Sequence, residues 1–375
     1  MSGIYLHIPF CKRKCIYCDF YSTTESQWRA DFVQALCKEI AYRKDYLAGQ
    51  PVRSIYFGGG TPSQLTEEDF RVIFHTLQSY YTWIEDIEIT IEANPDDLNA
   101  DYLNMLSAFP FNRLSMGVQT FHDHHLQRLN RRHTARQAID AYHRCREMGW
   151  KNISLDLMYG LPEETEEEWQ ADLAQIISLR PEHISAYHLI YEEGTPLWEK
   201  RKEKKVIEIP EEKSVAFFSL LIDELTKAGY EQYEISNFSL PDKHSRHNSS
   251  YWEGLHYLGC GPSAHSYNGV SRLWNVSDVE QYIAGVHTPP MAQEWEELDF
   301  YTRYNERIIT GVRTMKGLYL PALQADFGTE LYHYCLRMAT AAVKAGHLEI
   351  KEDYLRLTRA GIFLSDAVMS DLLWV

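Results

Sequence analysis

The feature that most constrains the fold is an alternation of short β-type runs and longer amphipathic runs through the first 230 residues. The predicted strands span Ile4 to Ile8, Ser54 to Phe57, Ile87 to Glu92, Arg113 to Val118, Ile153 to Met158 and Ile184 to His188. The predicted helices span Glu25 to Tyr46, Thr66 to Tyr80, Asn99 to Leu106, Ala135 to Met148, Glu166 to Ser178 and Glu211 to Ala228. Six such units predict parallel strands joined by right-handed crossovers, either as an open sheet or curled into a barrel.

Three of the seven cysteines lie close together, directly after the first predicted strand, in the spacing Cys11-x3-Cys15-x2-Cys18. The other four are scattered at Cys37, Cys145, Cys260 and Cys335. An odd total with one tight group is typical of metal binding or redox chemistry in a reducing compartment, and not of a disulfide framework.

Two kinds of metal centre are compatible with this cysteine group. A structural zinc ion needs a fourth ligand, which would come from Asp19, His7 or a distant residue. A [4Fe–4S] cluster held by three protein thiolates keeps one iron open to a small-molecule chelate, an arrangement that serves chemistry more than folding. We favour the cluster over zinc on this ground.

A second signal is the segment Gly58 to Pro62, which reads GGGTP and follows the second predicted strand. Glycine lets a ligand approach the backbone closely, although the same residues also fit an ordinary strand-to-helix turn. Loops that follow the carboxyl ends of parallel strands converge on one face, where active sites lie. We therefore expect Glu92, Gln119 and Asp156, from the next three strands, to face the same site.

The alternation breaks after Tyr230. The chain to about Gly285 is rich in Gly, Ser and His and is predicted to be a loop region. Beyond Pro289 and Pro290 the predicted helices are Glu296 to Ile309, Leu320 to Asp326 and Glu330 to Ala345, followed by a β-type pair at His347 to Ile350 and Tyr354 to Leu357 and a helix at Ser365 to Leu373. We predict three parts: a barrel over 1–230, a connecting region over 231–288 and a C-terminal helical domain over 289–375, whose hairpin resembles that of a winged helix.

Charge and hydropathy exclude several classes of protein. The chain of 375 residues carries 37 Lys and Arg against 53 Asp and Glu, a formal net charge of −16. Binding of nucleic acid through its phosphates is therefore not expected. Neither a secretory leader nor an apolar run of membrane-spanning length, about 18 residues, is recognisable, so we expect a cytoplasmic protein.

Five motifs resemble those of the radical S-adenosylmethionine (SAM) superfamily and, more narrowly, those of the oxygen-independent coproporphyrinogen III oxidase group. They are YLHIPFC from Tyr5, FGGGTPS from Phe57, IEANP from Ile91, GVQT from Gly117 and DLMYGLP from Asp156. The resemblance extends over nearly the whole chain. It implies an α/β fold with a partial (β/α)6 TIM-type barrel and a C-terminal, mainly helical, winged-helix-like domain.

The same resemblance implies a cofactor site. Cys11, Cys15 and Cys18 would bind three irons of a [4Fe–4S] cluster, and the amino and carboxylate groups of SAM would chelate the fourth. The positions at which the family contacts SAM are occupied here by Tyr5, Gly59, Gly60, Thr61, Glu92, Gln119, Arg131 and Asp156. No individual catalytic residue is predicted.

Two departures from the oxidases point to a related branch, that of haem chaperones. Phe20 stands where the oxidases have a further cysteine, and the chain begins almost at its first strand. The segment from His247 to Trp252 also matches an H-N-x-x-Y-W motif that is associated with haem binding in that branch. His247, Tyr251 and Trp252 are thus candidate haem contacts, with the alternative that they seal the open side of the barrel.

The resulting prediction is a chaperone that uses a [4Fe–4S] cluster and SAM, binds haem and delivers it to acceptor haemoproteins. It would need an electron donor and would approach membranes only through its acceptors. One alternative is an enzyme, either an oxygen-independent coproporphyrinogen III oxidase or another radical SAM enzyme that modifies a tetrapyrrole. Another is a zinc-stabilised interaction module.

Overall fold

The computed structural model describes residues 1–287 and 293–375. The first six strands are β1 Ser2–Ile8, β2 Val52–Gly59, β3 Trp83–Ala93, β4 Arg113–Gln119, β5 Ile153–Tyr159 and β6 His183–His188. The helices of the same region are α1 Arg29–Tyr42, α2 Glu67–Tyr80, α3 Ala100–Leu106, α4 Asp123–Arg128, α5 Ala135–Glu147, α6 Glu166–Leu179, α7 Pro196–Lys202 and α8 Glu211–Lys227. The six predicted strands and six predicted helices of this region are confirmed, and the short helices α4 and α7 are additional.

Three of these helices begin with the same local device, a capping box. In each, the hydroxyl of a threonine just before the helix accepts a hydrogen bond from the backbone N–H of the residue three positions later. The side chain of that later residue accepts a hydrogen bond from the backbone N–H of the threonine. The caps are Thr66, Thr134 and Thr165, with partners Asp69, Gln137 and Glu168. Local sequence thus fixes where each helix begins and how long the preceding loop can be.

Strands β1 to β6 pair in parallel and in sequence order, and their two faces differ in polarity. On β4, Leu114, Met116 and Val118 are buried in the hydrophobic core. The alternate residues Arg113, Ser115, Gly117 and Gln119 line a cavity on the other face. Since side chains alternate across a strand, β4 turns these mostly polar residues toward the lumen, which holds an open cavity and not a packed core.

The prediction of a loop region from Tyr230 to Gly285 is wrong. The elements there and just beyond are β7 Glu231–Gln232, β8 Asn237–Ser239, α9 Arg246–Trp252, β9 Tyr257–Cys260, β10 His265–Tyr267, β11 Ser271–Asn275, α10 Val279–His287 and β12 Gln293–Glu297. Strands this short have little intrinsic preference for β structure, and they form because existing sheet edges supply hydrogen-bonding partners.

Those short strands extend the sheet at both edges. Strand β9 pairs in parallel with β1, and β8 pairs antiparallel with β6, so that over the described residues the order is β12-β11-β10-β9-β1-β2-β3-β4-β5-β6-β8-β7. The six central strands form the wall of an open barrel, and the predicted partial (β/α)6 fold is confirmed. The expected boundary between 288 and 289 lies outside the described residues.

The C-terminal part is mainly helical with a small sheet. Its elements are α11 Phe300–Val312, β13 Leu318–Tyr319, α12 Leu320–Lys344, β14 Leu348–Lys351, β15 Tyr354–Leu357, α13 Arg359–Ile362 and α14 Ser365–Asp371. The predicted helix from Glu296 begins later, because β12 pairs with β11 through Glu297. The predicted break inside α12 is present as a kink at Gly328, which has φ 78°. The hairpin and the last helix are confirmed.

None of the helices in the described ranges is both long enough and apolar enough to cross a membrane.

Candidate cofactor site

A cavity of about 520 Å³ opens at the carboxyl ends of the barrel strands. Its lining comes from five of the six central strands and from the loops that follow them. The sequence-predicted residues on its wall are Cys11, Cys15, Cys18, Gly59, Gly60, Thr61, Glu92, Gln119, Arg131 and Asp156. The structure therefore brings ten residues predicted from separate motifs to one site.

The cysteine loop is attached to the barrel by backbone and side-chain contacts. The Cys11 N–H donates to the carbonyl of Thr23 at 2.9 Å, and Cys11 Sγ lies 3.4 Å from Thr61 Oγ1. Burial raises the pKa of the Cys11 thiol, and it raises the pKa of Cys18 to about 11. Because thiolate is the metal-binding form, these thiols need a positive metal centre to hold them deprotonated.

The spacing of the three thiols tests the two metal centres. Zinc–sulfur bonds of about 2.3 Å in a tetrahedron put the ligand sulfurs about 3.8 Å apart. Across the described residues, a group of metal-ligating atoms within 4.8 Å of one another occurs only at His122, His124 and Glu168, so the three cysteine sulfurs are spread more widely. A cubic cluster suits this arrangement, because each thiolate binds a different iron. His7 was a candidate for the fourth zinc ligand, but its Nε2 lies 2.9 Å from the Tyr21 carbonyl oxygen, within hydrogen-bonding distance.

Arg131 joins the cysteine loop to the barrel floor. Its Nη1 lies 3.5 Å from Cys15 Sγ, while Nη2 donates to Asn94 Oδ1 at 2.6 Å and to the Gly117 carbonyl at 2.5 Å. Its Nε is buried and has no hydrogen-bond partner in the structure. A fixed guanidinium beside thiolates stabilises their negative charge, and its unpaired N–H points to an acceptor still to be supplied.

The glycine segment lies against the strand that leads into the cysteine loop. Gly60 N–H donates to the Ile8 carbonyl at 2.8 Å, and a Cβ on Gly60 would stand 2.8 Å from the backbone of Pro9. Gly59 has φ 107°, which is strained for residues with a side chain. Glycine is thus required here for close packing of two loops, and the resulting ledge faces the cavity.

Two half-buried carboxyl groups, Glu92 and Asp156, face the cavity from β3 and β5. Burial raises the pKa of Glu92 to about 7, and the hydrogen bond that Tyr56 Oη donates to it at 2.7 Å opposes that shift. Burial likewise raises the pKa of Asp156 to about 6, against a hydrogen bond from Ser185. A cationic or hydroxyl-bearing ligand would favour the ionised form of both groups.

Arg113 is a cavity residue that the sequence analysis missed. It is only 1% exposed, and its Nε is buried with no hydrogen-bond partner among the described residues. Its positive charge opposes the rise that burial causes in the pKa of Glu92 and in that of Asp156. The period-two alternation of polar and apolar residues along β4 would have indicated its inward direction.

Asp97 is a second missed residue, and it fixes the loops of the site to one another. Its carboxylate accepts hydrogen bonds from Lys12 of the cysteine loop at 2.7 Å, from Ser63 beside the glycine segment at 2.8 Å and from Arg132 at 3.1 Å. Its side chain is 2% exposed. No motif of the sequence indicates this role, because the three donors come from distant parts of the chain.

Four predicted residues lie away from this cavity. Tyr5 stacks on Tyr56, with ring centroids 6.1 Å apart, and thus supports the wall from behind. His247 is buried inside the barrel, with Nδ1 3.0 Å from Ser54 Oγ and Nε2 2.9 Å from Tyr251 Oη. Burial lowers the pKa of His247 to about 3. Trp252 lies on another side of α9, against the Arg313 guanidinium at 4.7 Å.

Comparison with known proteins shows the family. The sequence model of the Radical SAM superfamily matches residues 5–176, and that of the HemN C-terminal domain matches residues 301–364. The haem chaperone HemW of Bacillus subtilis is 32% identical over 377 residues, which span 100% of this chain and 99% of that protein. The chain belongs to the HemW family.

Other HemW proteins agree with this assignment, and one solved structure of a different radical SAM protein shares the fold. HemW of Mycobacterium tuberculosis is 33% identical over 99% of this chain and 94% of its own length, and HemW of Escherichia coli is 36% identical over 70% and 69%. The solved structure of coproporphyrinogen III oxidase (HemN) from Escherichia coli, a radical SAM enzyme, superposes with a TM-score of 0.86, at 25% identity over 99% of this chain and 89% of that one.

The HemW family assignment accounts for the cavity. The range matched to the Radical SAM superfamily contains the three cysteines, the glycine ledge and both carboxyl groups. Membership of that superfamily implies a [4Fe–4S] cluster and SAM, and the chemistry and spacing of the donors fit both.

Proposed function

We propose that this chain is a haem chaperone of the HemW type, which binds haem and delivers it to acceptor haemoproteins with the help of a [4Fe–4S] cluster and SAM. The observation that carries this proposal is the match to curated haem chaperones along the full length of the chain. The cysteine-lined cavity supports the cofactor part of the proposal.

We assign the cluster to Cys11, Cys15 and Cys18, which leaves one iron to be chelated by SAM. When bound, the cluster supplies one electron for reductive cleavage of the sulfonium. The Arg131 guanidinium, 3.5 Å from the Cys15 sulfur, would offset the negative charge of the thiolates, and the glycine segment packs closely against the Pro9 backbone beside them.

We assign SAM to the remaining cavity wall. Gly60 and Thr61 offer backbone and hydroxyl groups, and Gln119 offers an amide from the end of β4. The carboxylates of Glu92 and Asp156 suit the positive charge or the ribose hydroxyls of SAM. Tyr5 would act through Tyr56, which donates to Glu92.

The affinity for SAM should depend on pH through Glu92. Its carboxyl group has a pKa of about 7 in the free protein and must ionise to attract the sulfonium. Affinity should therefore rise roughly tenfold between about pH 6 and pH 8, as the carboxylate forms. Anaerobic SAM titrations of the cluster-loaded protein would measure this. Glu92→Gln should remove most of the rise between pH 6 and pH 8, and the exposed Glu85→Gln should leave it unchanged; the same slope in both variants would contradict this role for Glu92.

The alternative function is oxidation of coproporphyrinogen III, which the structural likeness to HemN favours. Phe20, in place of the further cysteine, is 65% exposed and lies on the cavity wall. We expect cluster-loaded protein, incubated without oxygen with SAM, a reductant and either coproporphyrinogen III or haem, to take up haem stoichiometrically and pass it to an apo-haemoprotein. Catalytic formation of protoporphyrinogen would instead establish the oxidase.

We also propose an external electron donor, since the chain's own residues supply no reducing equivalents to a cluster. The net charge of −16 argues against nucleic acid as a partner, and seven free thiols fit a reducing compartment.

We further propose that the chain has three parts: a cofactor barrel over residues 1–230, a connecting region over 231–288 and a C-terminal domain over 289–375.

A further inference from the structure

A second cavity, of about 570 Å³, lies between the connecting region and the C-terminal part. Its wall combines residues around β7, just before α9 and on α9 with residues of α11, of the turn between α11 and β13, and of β15. They include Tyr233, His244, Trp252, Arg307, Met315, Lys316 and Tyr354. A cavity of this size takes a ligand of several fused or linked rings.

Helix geometry explains why only part of the H-N-x-x-Y-W motif reaches this cavity. Residues four apart share a helix face, so His247 and Tyr251 both point into the barrel and contact each other at 2.9 Å. Ser249 and Trp252, three apart, share a different face and line the second cavity. The motif is therefore divided between two sites by the helical repeat.

The cavity offers flat aromatic surfaces. Trp252 lies on its wall, and the indole Nε1 is buried with no hydrogen-bond partner in the structure. The His244 imidazole stacks on the Tyr233 ring, with centroids 4.3 Å apart and planes 20° apart. Tyr354 packs against Tyr319 at 4.9 Å. Several broad rings around one space suit a planar, largely apolar ligand.

The cavity also contains cationic side chains that lack a carboxylate partner. Arg307 and Lys316 form no ion pair with any carboxylate in the described part of the chain, and the Arg307 Nε is buried without a hydrogen bond. The two carboxylates on the wall have partners: Glu253 pairs with Arg53 at 2.8 Å, and Glu231 lies 3.6 Å from His244 Nε2. Lys316 Nζ lies 5.2 Å from the centroid of the Tyr354 ring. In a chain of charge −16, two cations in one cavity that lack a carboxylate partner indicate an anionic ligand.

We propose that this second cavity is the haem site. The macrocycle would lie against Trp252, and the two propionates would point toward Arg307 and Lys316. This inference rests on the proposed haem function and gives it a location distinct from the cysteine-lined cavity. No residue of the second cavity lies within the sequence range matched to the Radical SAM superfamily.

The same geometry identifies the imidazole that can reach the iron. His247 has hydrogen-bond partners on both ring nitrogens and is 3% exposed. The His244 side chain lines the second cavity and is 43% exposed, and its Nε2 lies 3.6 Å from a Glu231 carboxylate oxygen. Imidazole is a common axial ligand of haem iron, so His244 is assigned that role.

Titration of the full-length protein with haemin tests the site. Trp252→Ala and the double variant Arg307→Ala with Lys316→Ala should each weaken binding roughly tenfold or more. Trp295→Ala, a tryptophan that is 67% exposed on β12, is the matched control and should bind normally. His244→Ala should shift the Soret band, while His247→Ala should keep it in place. Metal-free protoporphyrin should bind His244→Ala as it binds the unchanged protein.

The outcomes separate the two proposals. If the unchanged protein binds no haemin, the haem chaperone function itself fails. If the unchanged protein binds haemin and the Trp252 and Arg307–Lys316 variants bind it equally well, the second cavity is not the site. Circular dichroism and iron content of each variant show whether it is folded, and Trp252→Phe should restore binding if the ring surface is what matters.

Discussion

We expect that replacing any one of the three loop cysteines, by Cys11→Ala, Cys15→Ala or Cys18→Ala, abolishes the iron–sulfur cluster and with it SAM binding. Each thiolate binds a different iron, so two remaining thiolates leave two irons without protein ligands. The unchanged protein, supplied anaerobically with ferrous iron and sulfide, should take up about four of each per chain and absorb near 400 nm. Each variant should lose most of that absorbance and most of the iron and sulfide, as determined by metal and sulfide analysis.

The control for this series is Cys37→Ala. Cys37 is a half-buried thiol on α1 that does not line the cavity. Its removal should leave iron, sulfide and absorbance unchanged. Full cluster content in any of the three loop variants would contradict the assignment, as would uptake of a single zinc ion by the unchanged protein. Haemin binding by the cluster-free variants would further show that the haem site is separate from the cluster.

Replacing Asp97 should have the second-largest effect, although this residue contacts neither proposed cofactor. Its carboxylate accepts hydrogen bonds from Lys12, Ser63 and Arg132, so Asp97→Ala leaves several donors unsatisfied. Removing the acceptor from a buried polar cluster costs about 2 kcal/mol or more of unfolding free energy. Because Lys12 belongs to the cysteine loop, cluster content after anaerobic loading should fall as well.

Denaturant unfolding and iron analysis measure the two effects of Asp97→Ala. Asp101→Asn, an exposed carboxylate on α3, is the control and should change neither. The more conservative Asp97→Asn keeps the size but puts an amide N–H among donors, so an intermediate loss is expected. Stability lost with normal cluster content would mean that Asp97 supports the fold without positioning the cysteine loop.

Most of the barrel could be predicted from the sequence because its elements are defined locally. Each strand is a short apolar run, and Thr66, Thr134 and Thr165 mark the start of the helix after a strand. The strands of residues 231–275 could not be predicted, because they form only against an existing edge such as β1, which pairs with β9. Similarly, β12 forms against β11, and this delays the start of α11.

The cofactor site was predictable to the extent that its residues carry motifs. The three cysteines and the glycine segment stand out by spacing and composition, and Glu92 stands at a strand end. Arg113 and Asp97 carry no such signal, because an isolated arginine or aspartate looks like a surface residue until its neighbours are known.

The sequence by itself determined the six strand–helix units of the barrel, the cysteine group and the family to which the chain belongs, since these depend on residues that are near one another along the chain. Only the tertiary structure decided which residues share a cavity. It placed Asp97 between three loops, and it turned His247 into the barrel while Trp252 of the same short helix faces a different space. The physical reason is that a helix turns by about 100° per residue, so adjacent letters of one motif point to different surroundings, which distant parts of the chain supply.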